Sequence, residues 1–112
     1  MTRISFEVRE ASGSARLVLR GELDTASAEE AKSALDRLLG GGFDLVVVDL
    51  RELDFMDSTG VKFLLDGRDT ARELGVKIAL AYGGDPVERV LTVSGVSKLF
   101  ERQGDDLPAS EE

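Results

Sequence analysis

The stretch "DLVVVDL", Asp44 to Leu50, constrains this chain most. A strand with one wet face alternates apolar and polar residues, whereas Leu45 to Val48 are apolar without a break. Such a run belongs to a strand covered on both faces or nearly so, and therefore to the interior of a sheet. Everything around it has to supply that cover.

The flanking segments are read accordingly. Ile4, Phe6 and Val8 alternate with Ser5, Glu7 and Arg9, and Leu17 and Leu19 continue the pattern after "ASGS", which predicts a hairpin with one covered face. In "SAEEAKSALDRLLGGG", Ser27 and Glu30 have capping-box spacing, and Ala31, Ala34, Leu35, Leu38 and Leu39 fall on one helical face ended by Gly40 to Gly42. A second helix is expected from Asp57 to Leu74, with Val61, Leu64, Leu65, Ala71 and Leu74 inward and Gly75 as its stop; the strand "VKIALAY" follows. In "DPVERVLTVSG", Asp85 as cap, Pro86 at the first helical position, Glu88 at capping-box spacing and Gly95 as stop predict a short third helix. "KLF", Lys98 to Phe100, supplies a last edge strand or a cover for the core. The order strand, strand, helix, strand, helix, strand, helix predicts an α/β fold with a mixed, mostly parallel sheet of four to five strands and helices mainly on one face. Residues 1–100 are read as one domain and 101–112 as an acidic, flexible tail.

Composition narrows the chemistry. With 112 residues the chain can bury one core. It has no cysteine and no histidine, which removes disulfides, thiolate nucleophiles, Cys or His metal sites and imidazole bases. The net charge is -8, shared equally between the tail and the remaining hundred residues, so direct nucleic-acid binding is disfavoured. No apolar run reaches the roughly 18 residues of a membrane span, and the N-terminus lacks the apolar core of a secretory signal; a cytoplasmic protein is expected. The glycines at 40–42 and 83–84 read as turns, because neither follows the G-x-x-x-x-G-K phosphate-loop pattern. Asp54 and Asp57 alone fall short of the oxygen count a calcium ion prefers, and no metal or cofactor is expected.

One turn gathers polar chemistry. "DFMDSTGVKFLL" is expected to bend between Asp54 and Gly60, at the carboxyl end of the interior strand, the edge where α/β sheets place ligand and partner sites. Asp57 suits the N-cap, accepting from the amide of Thr59 or Gly60. Ser58 then takes the first helical position with its hydroxyl free, Thr59 lines the same surface, and Gly60 permits close approach by another backbone. On spacing alone, "DSTG" before an apolar run is also an ordinary helix start. "GELDTAS", Gly21 to Ser27, reads as a capping loop by the same standard, but parallel strands bring their carboxyl ends together, so Asp24 and Thr25 are expected to flank Ser58. Lys62, Asp66 and Asp69 on the outer face of the second helix are given no role.

Over about residues 3 to 100, "LRGELDTASAEE", "LVVVDLRELDFMDSTGVKFLL" and "VERVLTVSGVSKLF", in this order, resemble the STAS domain, in particular the single-domain bacterial anti-sigma factor antagonists. The resemblance implies that Ser58 is reversibly phosphorylated by a partner that is both serine kinase and anti-sigma factor. The unphosphorylated form binds that partner and frees the sigma factor, the phosphorylated form lets go, and a PP2C-type phosphatase resets the cycle. It makes Asp24, Thr25, Asp57, Ser58, Thr59 and Gly60 the partner-binding set, with no catalytic residue, no membrane association and a monomer or weak dimer. The alternative is a STAS scaffold or regulatory subunit in a stress-signalling, transporter or lipid-transport assembly. The sequence departs from the family in its end: where members add a helix packed on the sheet, this chain has "ERQGDDLPASEE", which leaves contacts built from that helix unassigned.

Overall fold

The computed structural model describes residues 4–84 and 86–103. Strands β1 (Ile4–Ala11) and β2 (Ser14–Leu23) precede helix α1 (Ala28–Leu39). Strand β3 (Leu45–Met56), helix α2 (Ser58–Leu74), strand β4 (Lys77–Ala81) and helix α3 (Val87–Ser94) follow. A 3-10 turn at Val96–Leu99 leads into strand β5 (Glu101–Arg102). The strands lie in the order β1-β2-β3-β4-β5, with β1 antiparallel to β2 and all later neighbours parallel. The Val-rich run is thus the middle of the sheet. The closing edge strand falls at Glu101–Arg102; of Lys98 to Phe100 the first two residues belong to the 3-10 turn, and Phe100 packs on the core, the second of the two expected roles. Asp85 and the tail from residue 104 onward lie outside the described residues.

The hairpin turns on Ser12 (φ 47) and Gly13 (φ 87), two consecutive residues in the left-handed region. That is the twist a two-residue loop needs to join right-twisted strands. Beyond it, Leu17 and Leu19 are fully buried against the helices, but their partners on β1 are not: Phe6 is 36% and Val8 46% exposed, and of the predicted row only Ile4 enters the core. The reason is position, since the helices pack on β2, β3 and β4 and leave the edge strand uncovered.

Helical periodicity places the core well. Ala31, Leu35, Leu38 and Leu39 of α1 meet Phe63, Leu64 and Ala71 of α2 and Val87 and Leu91 of α3 over Val46, Val48 and Leu50. Each fully buried leucine here stabilises the fold by about 1.5–3 kcal/mol. Helix α2 differs from expectation at two places. Leu74 is 53% exposed, and Phe63 and Gly67, absent from the predicted face, are buried. Gly67 has a packing reason, because a Cβ there would lie 2.6 Å from Leu35 Cδ2.

The second face of the sheet carries no helix among the described residues. Val47, Ala79 and Ala81 form a small apolar cluster there. Beside it Asp49, 1% exposed, accepts hydrogen bonds from Arg16 Nε at 2.9 Å, Arg51 Nε at 3.0 Å and the Arg51 amide at 3.0 Å. Arg16 is itself only 6% exposed. Burial pushes the Asp49 carboxyl up, yet the bonds from Arg51 and Arg16 outweigh it and hold the group below its ordinary value. An exposed chain of charges, Arg9–Glu7–Arg20–Glu52, continues across β1 to β3 at 2.7, 2.7 and 2.6 Å. Hydrogen bonds from Arg9 and then Arg20 lower the Glu7 pKa from 4.5 to about 2.

Between β2 and β3 the pairing shifts twice, between Val18 and Arg20 and between Gly21 and Glu22, each time with one more residue on β3. The extra residues re-phase the strand, so Leu50, Leu53 and Met56 all enter the core at spacings of three instead of two. This is how β3 remains a strand through "RELDFM" and delivers Asp57 at the sheet edge.

Candidate functional site

The predicted bend begins later than expected. Asp54 and Phe55 lie within β3, and the chain passes from strand at Met56 to helix at Ser58 through Asp57 alone. Asp57 has an extended backbone (φ -117, ψ -163), and its Oδ1 accepts from the Thr59 amide at 2.9 Å. The cap expected from the sequence is therefore formed. With Asp57 serving the helix, Ser58 sits at the first helical position, exposed, its hydroxyl in no hydrogen bond among the described residues.

Gly60 works inward. It is buried, and a Cβ there would overlap Met56 Cγ and lie 3.2 Å from Leu23 Cδ2. The space it leaves is taken by this chain's own side chains, which lets the start of α2 settle onto the ends of β2 and β3. Within the chain, the close approach that glycine permits is made by the side chains of Met56 and Leu23.

The β2–α1 loop arrives at the same edge. Thr25 Oγ1 lies 3.2 Å from Thr59 Oγ1, a side-chain hydrogen bond between the two predicted segments, and the Asp57 amide donates to the Leu23 carbonyl at 3.4 Å. Asp24 is tied to its own loop, with Oδ1 accepting from the amides of Ala26 at 3.0 Å and Ser27 at 3.2 Å. Here the predicted capping box fails. Ser27 precedes α1 without a side-chain cap bond, and it is buried, its hydroxyl donating to the Glu22 carbonyl at 2.7 Å. Asp24 has taken over the capping work because the loop makes a turn before the helix starts. Helix α3 starts at Val87 with Pro86 at its N-cap rather than at the first helical position, and Glu88 accepts from the Gly84 amide at 3.2 Å.

Ser58 also borders a feature that sequence spacing left unassigned. A groove of about 330 Å³ runs between the start of α2 and α3, lined by Asp57, Ser58, Val61, Arg89, Val90, Val93 and Ser94. Its walls are apolar, and Val93 is 81% exposed. On the other side of Thr59 lies a cleft of about 340 Å³ between α1 and α2. Two lysines line it, each engaged at 3.0 Å by a carboxylate one turn on: Lys32 with Asp36, and Lys62 with Asp66. The turn thus stands as a ridge between an apolar groove and a cleft edged by two ion-paired lysines. The signal for the groove was present in "VERVLTVSG", where Val93 falls off the inward face set by Val87 and Leu91, but one exposed valine carries little weight by itself.

The arrangement offers a hydroxyl for modification and a surface for contact. The chain has no histidine, and the Ser58 hydroxyl has no hydrogen-bond partner among the described residues. No group of carboxylates suited to a metal ion occurs among the described residues, and none of their helices is long and apolar enough to cross a membrane.

Comparisons with known proteins agree on the fold and the family. A family model described as the STAS domain matches residues 5–108. The chain is 29% identical over 83 residues to the anti-sigma F factor antagonist of Paenibacillus polymyxa, covering 73% of this chain and 71% of that protein. The crystal structure of an anti-sigma factor antagonist from Mycobacterium paratuberculosis superposes with a TM-score of 0.81 at 21% identity, covering 88% of this chain and 84% of that one. The Bacillus cell fate determinant SpoIIAA in its phosphorylated form superposes with a TM-score of 0.68 at 19% identity, covering 91% and 94%.

Proposed function

Because the chain belongs to the STAS domain family, we propose that it is an anti-sigma factor antagonist whose partner is an anti-sigma factor acting as a serine kinase on Ser58. The unmodified protein captures that partner and releases a sigma factor; modification ends capture, and a PP2C-type phosphatase restores it. The observation that carries the reading is the exposed Ser58 hydroxyl, held at a helix start whose capping is done by its neighbour. The name of the Paenibacillus relative and the phosphorylated state of SpoIIAA support it.

The chemistry needs little from this chain. The kinase would transfer the γ-phosphoryl group of ATP to Ser58 Oγ, the hydroxyl proton leaving and ADP being released, with Mg2+ and catalytic groups supplied by the kinase. The phosphate adds about -1.5 to -2 charges at neutral pH. At the N-terminus of α2 the helix dipole favours that charge, so the domain stays folded. Its effect falls on the contact surface. Beside Asp57 and near Asp24, a new dianion in a desolvated interface costs about 2–5 kcal/mol, enough to weaken binding by orders of magnitude. Thr25 and Thr59 extend the surface on one side and the apolar groove extends it on the other.

The test is a paired capture from the native host with the wild-type chain and the Ser58→Asp and Ser58→Ala variants as baits. Ser58→Ala is expected to hold the kinase without being phosphorylated, and Ser58→Asp to hold it more weakly. Equal capture by all three chains, or phosphate persisting on the alanine variant, overturns the reading.

A further inference from the structure

The groove beside Ser58 has one cationic side chain. Arg89 lines it from α3 while Ser58 lines it from α2. Arg89 is exposed, and it makes no hydrogen bond or ion pair among the described residues. Arg9, Arg16, Arg20, Arg51, Arg68 and Arg102 have partners; Arg37 and Arg72, like Arg89, have none among the described residues, but neither of them lines the groove with Ser58. Asp57 is the other charged residue of the lining, and its Oδ1 is turned to the Thr59 amide. A guanidinium with no partner among the described residues therefore shares one small groove with the hydroxyl proposed to receive a phosphate.

Resting on the reading of Ser58 as the modified residue, we propose that Arg89 is an internal latch for the phosphate: once Ser58 is phosphorylated, the Arg89 guanidinium pairs with it across the groove, tying the start of α2 to α3. The pairing follows from chemistry. A guanidinium presents its N–H donors as a planar fork matched to phosphate oxygens, and charge-assisted bonds of this kind are roughly twice as strong as neutral ones. It also has a geometric consequence. An ion pair spanning the groove lays hydrated charge over Val61, Val90 and Val93, which the unmodified protein leaves open. Phosphorylation then alters the surface twice, by adding charge at the ridge and by closing the apolar groove next to it.

The experiment needs no partner protein. Phosphoserine is installed at position 58 of the full chain during synthesis, and its phosphate is titrated by 31P NMR in the wild-type, Arg89→Gln and Arg89→Lys backgrounds. Asp57 raises the phosphate's second ionisation and Arg89 lowers it, so removing Arg89 is expected to move the midpoint up by roughly half a pH unit or more at low salt. Arg89→Lys should restore part of the shift, and about 1 M salt should erase most of it. Amide signals of Val87–Ser94 should follow the phosphate titration in the wild-type chain and not in Arg89→Gln. Equal midpoints in wild type and Arg89→Gln overturn the latch, as does equality of the Gln and Lys variants should comparison with wild type be blurred by misfolding. If the phosphate shift holds while no kinase distinguishes the Ser58 variants, the latch survives and the functional reading fails; the reverse result removes only the latch.

Discussion

Replacing Asp49 by asparagine tests the center of the sheet with almost no change of shape. In the wild-type chain Oδ2 accepts from Arg16 Nε, Arg16 Nη2 and Arg51 Nη2, and Oδ1 accepts from the Arg51 amide and Nε. An asparagine must turn an NH2 group toward one of these sets, so donors face donors in either orientation. Arg51 is 28% exposed in its side chain and can reach water, but the Arg16 side chain, at 8%, is left charged beside a neutral amide. Breaking one member of a buried pair costs about 3–5 kcal/mol; the exposure of Arg51 argues for the lower end, near 3. Against a total stability of about 5–15 kcal/mol, this is a large fraction. Urea unfolding followed by circular dichroism should show the midpoint falling by about 1 M or more with an unchanged slope. The pH dependence has a definite sign. The folded pKa of Asp49 is depressed, so its contribution is present above the unfolded value of about 3.9 and is lost as pH falls through the folded value. The gap between wild type and variant should therefore be full at pH 7 and close below about pH 4. A gap under 1 kcal/mol at pH 7, or one that widens with acid, refutes the reasoning.

Two further changes probe the turn itself. Gly60→Ala is expected to destabilise the domain by about 1 kcal/mol, since overlap with buried Met56 costs about 1–3 kcal/mol and the gain in chain stiffness returns less than 1; thermal unfolding should fall by several degrees, and a more stable variant would show that the packing account is wrong. Asp57→Ala removes the cap on α2 and should cost about 1 kcal/mol, while Asp57→Ser keeps most of it; equal unfolding midpoints for the alanine and serine variants would exclude capping as the role of this side chain.

Much of this architecture was legible because it rests on short-range patterns. The unbroken "LVVV" placed the central strand, and the spacing of Ala31, Leu35, Leu38 and Leu39 placed α1 on it. Gly75 and Gly95 ended their helices in the left-handed conformation that glycine allows. What could not be read depends on pairing between distant segments. The spacing of Leu50, Leu53 and Met56 fits no regular strand, and it makes sense only with the two register shifts against β2. The burial of Asp49 requires knowing that the Arg16 side chain, 33 residues earlier, reaches it from β2. Phe6 and Val8 have the alternation of a covered strand, yet no pattern within β1 reveals that the helices stop one strand short.

The same distinction bears on how a switch can reside here. At the Ser58 edge, the fold's requirements fall on residues other than the serine: Asp57 caps, Gly60 and Met56 pack, Asp24 shapes the neighbouring loop, and Thr25 bonds Thr59 across the two segments. A phosphate on Ser58 breaks none of these interactions. In the proposed switch its free energy would then act almost wholly at the surface, to repel a docked partner and to recruit Arg89. A modification that had to disrupt the cap or the core would spend that energy on unfolding the first turn of α2, and the surface signal would be lost with it. Separation between the groups that hold the turn and the group it displays is the physical condition for a reversible signal on so small a domain.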